Sequence, residues 1–86
     1  MEIKFFGNFT QIVGKRSISI TLQNIVCIEE VIGYLSENYP KLKQEYFNDD
    51  DWENTALIFL DGKIAKLNDR VDNSSLIIFS TPIDGG

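Results

Sequence analysis

Residues 28–40, Ile28-Glu29-Glu30-Val31-Ile32-Gly33-Tyr34-Leu35-Ser36-Glu37-Asn38-Tyr39-Pro40, decide the fold. Ile28, Val31, Ile32, Leu35 and Tyr39 recur at steps of three and four, so they share one face of an α-helix over about Ile28 to Asn38. Glu29 and Glu30 fall in its first turn, where the helix dipole favours negative charge by about 0.3–1 kcal/mol each. Gly33 costs about 1 kcal/mol relative to alanine, which burial of the apolar face must outweigh. Pro40 stops the helix, because the residue before a proline avoids helical angles. It also opens a second short helix, with Leu42, Tyr46 and Phe47 as the buried side.

Strands flank this helix on both sides. Upstream, Glu2-Ile3-Lys4-Phe5 alternates with Ile3 and Phe5 inward, a register that turns Phe6 outward. Phe9, Ile12 and Val13 then predict one short helical turn before Gly14. Ser17 to Leu22 alternates cleanly, with Ile18, Ile20 and Leu22 inward, close enough in sequence to pair antiparallel with the first strand. Downstream, Ala56 to Leu60 is an apolar run of strand length, and Asp61-Gly62 is a tight turn into Lys63-Ile64-Ala65-Lys66. Asp72-Asn73-Ser74-Ser75 forms another turn, with Asn73 suited to a left-handed conformation, before the last strand, Leu76 to Ser80. Two hairpin-like halves joined by a helix fit a mixed sheet whose first and last strands run parallel at its centre. This is an α+β class, β-grasp (ubiquitin-like) arrangement of four to five strands with one main helix across it. It predicts one domain over residues 1–80 and a flexible Gly-Gly tail over residues 81–86.

Composition narrows the function. The chain has 86 residues, a net charge of −5, one cysteine and no histidine. Hydrophobic content of 43% supplies one compact core and argues against disorder. The acidity disfavours binding to nucleic acid and suits a basic groove on a protein partner. No apolar stretch approaches the about 20 residues that a membrane span needs, and none follows a basic leader. With Cys27 alone unable to form an internal disulfide, the expected setting is the reducing cytoplasm.

The remaining signals favour structure over chemistry. Cys27 lies beside Val26 and Ile28 and reads as a core thiol before a thioester or persulfide acceptor. Asp49, Asp50, Asp51 and Glu53 lack the spacing and glycine of a calcium loop and read as a solvated acidic segment, so no metal site is expected. Trp52 is either a partner anchor or a cap on the core beneath a long loop. Without histidine, a phosphate-binding loop or a serine paired with a base, the chain is not expected to be an enzyme by itself.

The C-terminus carries the functional reading. Thr81-Pro82-Ile83-Asp84-Gly85-Gly86 follows the central strand, and two residues without side chains can thread a narrow slot and offer a carboxylate there. Lys4-Phe5-Phe6, Ile28-Glu29-Glu30-Val31-Ile32 with Leu35, Tyr39-Pro40-Lys41-Leu42, Asp61-Gly62-Lys63-Ile64 and Pro82-Ile83-Asp84-Gly85-Gly86 occur in that order. Together they resemble the ubiquitin-like sulfur carriers, most closely the small subunit of molybdopterin synthase, over essentially the whole chain. The thiamine-pathway carriers share the fold and tail but are usually shorter, and the small archaeal modifiers share every mark.

There are two departures from the family. Asn73-Ser74-Ser75 replaces the usual Asp-Gly-Asp, and Ser80-Thr81-Pro82-Ile83 lacks an aromatic directly before the proline-rich stretch. The nearby aromatic, Phe79, lies one residue earlier and therefore on the opposite face of the strand.

The resemblance implies that an E1-like adenylating enzyme activates the Gly86 carboxylate with ATP. A sulfur donor would convert the adenylate to a thiocarboxylate, which the large subunit of molybdopterin synthase would use to make the molybdenum or tungsten cofactor. Gly85 and Gly86 would be the reacting end, and Pro82, Ile83 and Asp84 would contact partners with it. No cofactor would be bound by this chain itself. Alternation turns Phe6, Ile64 and Ile78 away from the helix, predicting a partner-binding patch that the resemblance supports at Phe6 and Ile64. Two alternatives stand beside this reading. One is a ubiquitin-like modifier that forms isopeptide bonds to target lysines, and the other is a sulfur carrier for thiamine or tRNA thiolation.

Overall fold

The computed structural model describes residues 1–21, 23–24, 27–48 and 56–81. Strand β1 (Glu2–Phe5) leads into helix α1 (Asn8–Val13) and strand β2 (Ser17–Ser19). Helices α2 (Ile28–Asn38) and α3 (Pro40–Glu45) follow, then β3 (Leu57–Leu60), β4 (Lys63–Ile64) and β5 (Leu76–Ser80). The five strands form one sheet in the order β2-β1-β5-β3-β4. β1 and β5 run parallel, and the other pairings are antiparallel. This is the α+β, β-grasp arrangement that the element order predicts.

The sheet is covered on one face. Ile3, Phe5, Ile58, Ile77 and Phe79 point inward and meet Ile28, Val31 and Leu35 of α2, all of them buried. Leu42 is fully buried from α3, whereas Ile32 and Tyr39 pack at the margin of the core. Phe79 is an aromatic junction, with ring centroids 5.9 Å from Phe5, 5.7 Å from Phe9 and 6.2 Å from Phe47. Phe9 also packs 4.5 Å from Tyr46, so α1 and the end of α3 close over the strand that leads to the tail. Burying rings of this size supplies much of a small domain's core energy, at about 25 cal/mol per Å² of apolar surface.

Several expectations change in detail. The second strand ends at Ser19, with Ile18 and Ile20 partly buried, and Leu22 lies outside the described residues. The fourth is only Lys63–Ile64, although Ala65 beyond it is buried and its N–H still donates to the Ile58 carbonyl at 2.8 Å. Asn73 is not left-handed. Among the described non-glycine residues only Asp61 has a positive φ, 50°, and with Gly62 at 90° it makes the mirror-image turn that suits a two-residue hairpin. The 72–75 turn closes through the Ser75 N–H donating to the Asp72 carbonyl at 3.1 Å, and side chains reinforce it. The Ser74 N–H donates to Asp72 Oδ1 at 2.8 Å and the Ser74 hydroxyl at 2.6 Å. These bonds hold the Asp72 carboxyl below its ordinary pKa. Cys27 is partly rather than fully buried, at the N-cap of α2, with Sγ 3.4 Å from Glu30 Oε1. Trp52 and the acidic residues 49–51 and 53 lie outside the described residues, as does Val26.

Candidate functional site

The face of the sheet opposite α2 carries a continuous apolar strip. Strand register sets a row across all five strands, Ile64, Phe59, Ile78, Lys4 and Ser17. Leu57 stands opposite Ser80 in the neighbouring row, and Phe6 follows β1 on the same side. Phe6 is 50% exposed and Ile64 69% exposed, the large apolar side chains most open to water among the described residues. Phe59, Ile78, Leu57 and Leu76 are partly buried between them. Side chains on one face of adjacent strands lie close enough to act as a unit, so this is one patch rather than scattered exposure. Phe6, Ile64 and Ile78 are thus on the predicted face. Leu57, Phe59 and Leu76 join them and were not anticipated. Their signal was available, since an inward Ile58 forces Leu57 and Phe59 outward.

Ser80 stands on the outer face of β5, and the neighbouring Phe79 is fully buried on the inner face. The small Ser80 side chain, opposite Leu57, ends the apolar patch near the end of β5, where the chain leaves the sheet.

A glycine governs that exit. The Phe6 N–H donates to the Phe79 carbonyl at 2.9 Å, extending the parallel ladder one residue beyond β1. Gly7 then adopts φ 62°, ψ −139°, a conformation that side chains rarely permit. A Cβ on Gly7 would lie 2.5 Å from Thr81 Oγ1. Two backbone segments meet closely here, and Thr81 is held where the tail begins. Pro82, Ile83, Asp84, Gly85 and Gly86 lie outside the described residues. From Ser80, the six residues to Gly86 can span at most about 20 Å. A partner that holds the patch is therefore within reach of the terminal carboxylate.

A cleft of about 420 Å³ opens at the same end of the sheet, lined by Lys4, Phe5, Phe6, Gly7, Thr10, Arg16 and Ser17. Its wall includes two cations and no carboxylate. The Thr10 hydroxyl is already engaged, donating to the Phe5 carbonyl at 2.9 Å. Among the described residues no cluster of histidine, cysteine, aspartate and glutamate could hold a metal ion. No helix among them is long and apolar enough to cross a membrane.

No protein-family model matches the chain. No curated protein matches it in sequence. Solved structures do match in fold. A small archaeal modifier protein, SAMP1 of Haloferax volcanii, superposes with a TM-score of 0.82 at 22% identity, over 100% of this chain and 98% of that one. A candidate molybdopterin converting factor, subunit 1, from Pyrococcus furiosus gives 0.79 at 20% identity over 95% of each chain. Small archaeal modifier protein 1 of Methanosarcina acetivorans gives 0.79 at 21%, over 99% of this chain and 94% of that one. The shared feature is the ubiquitin-like β-grasp fold across the whole domain.

Proposed function

We propose that this chain is a sulfur carrier, activated at Gly86 by an E1-like adenylating enzyme and serving as the small subunit of a molybdopterin synthase. The observation that carries the reading is an open apolar sheet face beside the central strand β5, which Gly85-Gly86 follow within six residues in sequence. The fold likeness to a candidate molybdopterin converting factor subunit supports it.

The chemistry follows from the carboxylate. A Gly86 oxygen attacks the α-phosphorus of ATP, pyrophosphate leaves, and an acyl-adenylate forms. The outer sulfur of a partner's persulfide then attacks the acyl carbon and AMP leaves. A second partner thiol cleaves the sulfur–sulfur bond, releasing the thiocarboxylate as the two thiols become a disulfide. The large subunit would take the sulfur for its pterin substrate. In this scheme the chain supplies the reacting atom and the docking face, while partners supply ATP, acids, bases and any metal. Gly85 and Gly86 fit because a Cβ would widen the end that must enter a close-fitting channel. The ATP requirement fits a cytoplasmic location.

A second reading is favoured by the likeness to two small archaeal modifier proteins. The same acyl-adenylate would then pass to a lysine amine, through a partner thioester where one is used, to leave an isopeptide bond. Thiocarboxylate formation for thiamine or tRNA thiolation would differ only in the acceptor. The test is the intact mass of the chain recovered from cells with an active adenylating enzyme. A gain matching one oxygen replaced by sulfur, lost on deleting Gly86, supports the carrier. An unmodified terminus with Gly-Gly remnants on target lysines supports the modifier and overturns the carrier assignment.

A further inference from the structure

We propose that the Lys4–Arg16 cleft is a carboxylate-binding subsite, which receives an acidic side chain of the adenylating enzyme when that enzyme covers the open face; this rests on the carrier reading above. Lys4 belongs to the outer row of the sheet and Arg16 to the residues entering β2, and both line the same cleft of about 420 Å³. Neither cation has an ion-pair partner among the described residues. Two cations with no ion-pair partner among the described residues thus share one concavity in a chain of net charge −5, a local positive spot on an acidic molecule. Arginine offers a planar fork that matches a carboxylate, and lysine adds a point charge.

The surroundings select the occupant. Phe6, half exposed, forms one wall and also belongs to the apolar patch, so the subsite is continuous with the docking face. A partner that buries Phe6 would exclude water from the cleft and strengthen an ionic hydrogen bond there. The net negative charge of the chain repels a polyanion such as nucleic acid. An acidic residue beside an apolar one, on a protein, satisfies both halves of the site. Gly7 also lines the cleft and adjoins Thr81, so the ionic contact would fix the register of the sheet close to the tail's exit.

The experiment measures ATP–pyrophosphate exchange by the adenylating enzyme that acts on the wild-type chain, as a function of carrier concentration and salt. The Lys4→Gln/Arg16→Gln variant, shown to be folded by circular dichroism, should raise KM roughly tenfold or more and leave kcat unchanged. Its KM should also lose most of its dependence on salt. A Lys4→Glu/Arg16→Glu variant should be worse still. Lys41→Glu/Lys43→Glu, which carries the same change of net charge on α3, should behave as wild type. An unchanged KM in the glutamine variant, or an equal rise in the α3 control, overturns the subsite. Tight binding of inorganic phosphate alone, lost in the glutamine variant, overturns the acidic side chain as occupant. A wild-type chain that supports no exchange with any adenylating enzyme of its cell overturns the carrier reading itself, and the subsite with it.

Discussion

Replacing Gly7 by alanine tests whether the exit of the tail is fixed by backbone geometry. The new Cβ meets two costs. Holding a non-glycine residue at φ 62°, ψ −139° costs about 1–3 kcal/mol. The Cβ also lies 2.5 Å from Thr81 Oγ1, and moving that β-branched side chain off its rotamer adds about 0.5–1.5 kcal/mol. Together they come to about 2–4 kcal/mol, against the about 4–13 kcal/mol expected for a domain of 86 residues. At about 4–8 °C per kcal/mol, the melting temperature should fall by roughly 8–32 °C. The two costs can be separated. Thr81→Ala removes the clashing oxygen, and that hydroxyl makes no hydrogen bond among the described residues, so alone it should be neutral within about 0.5 kcal/mol. In the Gly7→Ala background it should recover about 1 kcal/mol and leave the backbone cost in place. Thermal and urea unfolding of the four proteins closes the cycle. A Gly7→Ala variant as stable as wild type would refute the argument, and full recovery by Thr81→Ala would refute its backbone half.

Three further outcomes follow from the same geometry. Phe6→Asp should leave the unfolding curve nearly unchanged, because the ring is half exposed, yet abolish binding to the adenylating enzyme in a calorimetric titration; binding within a factor of two of wild type would remove the patch from the docking site. Phe79→Ala should cost about 3–5 kcal/mol in urea unfolding, since the ring is fully buried among Phe5, Phe9 and Phe47. Asp72→Asn should flatten the acid limb of stability against pH. The carboxyl's folded pKa lies below its ordinary value, chiefly through the Ser74 hydroxyl, so its stabilisation is present above the unfolded value and disappears as pH falls through the folded one. An acid limb identical to wild type would show that the turn contributes nothing.

Much of this was legible in the sequence because local pattern and tertiary environment agree. The three- and four-residue rhythm from Ile28 to Tyr39 needs a helix with one buried face, and Ile28, Val31 and Leu35 are fully buried. Ile3 and Phe5 against Phe6 needed only a period of two. What was hidden depends on distant partners. The N-terminus of α2 has no side-chain cap. Its Ile28 N–H donates to the Asp69 carbonyl at 3.0 Å and its Glu29 N–H to the Leu67 carbonyl at 2.9 Å, bonds that no local motif announces. The left-handed residue was assigned to Asn73 on propensity, whereas the hairpin twist placed it at Asp61, whose Oδ1 also accepts the Leu76 N–H at 2.9 Å. Gly7 gave no sign of its role, because its constraint comes from Thr81, far along the chain. The Lys4–Arg16 cleft was equally invisible, since it exists only once β1 and β2 are paired.

The position of β5 bears on when the molecule becomes competent. Without that strand, the sheet order β2-β1-β5-β3-β4 separates into two two-stranded ribbons, neither of which is stable alone in water. Synthesis reaches β5 after every other element, so the domain cannot close while its earlier part is emerging from the ribosome. Folding is then a single late event that joins the two ribbons, and the residues that follow β5 emerge behind the strand that completes them. A chain cut short before residue 76 would lack β5 and with it the pairing that joins the two ribbons. Closure of the sheet is thereby tied, by topology, to the arrival of its central strand β5.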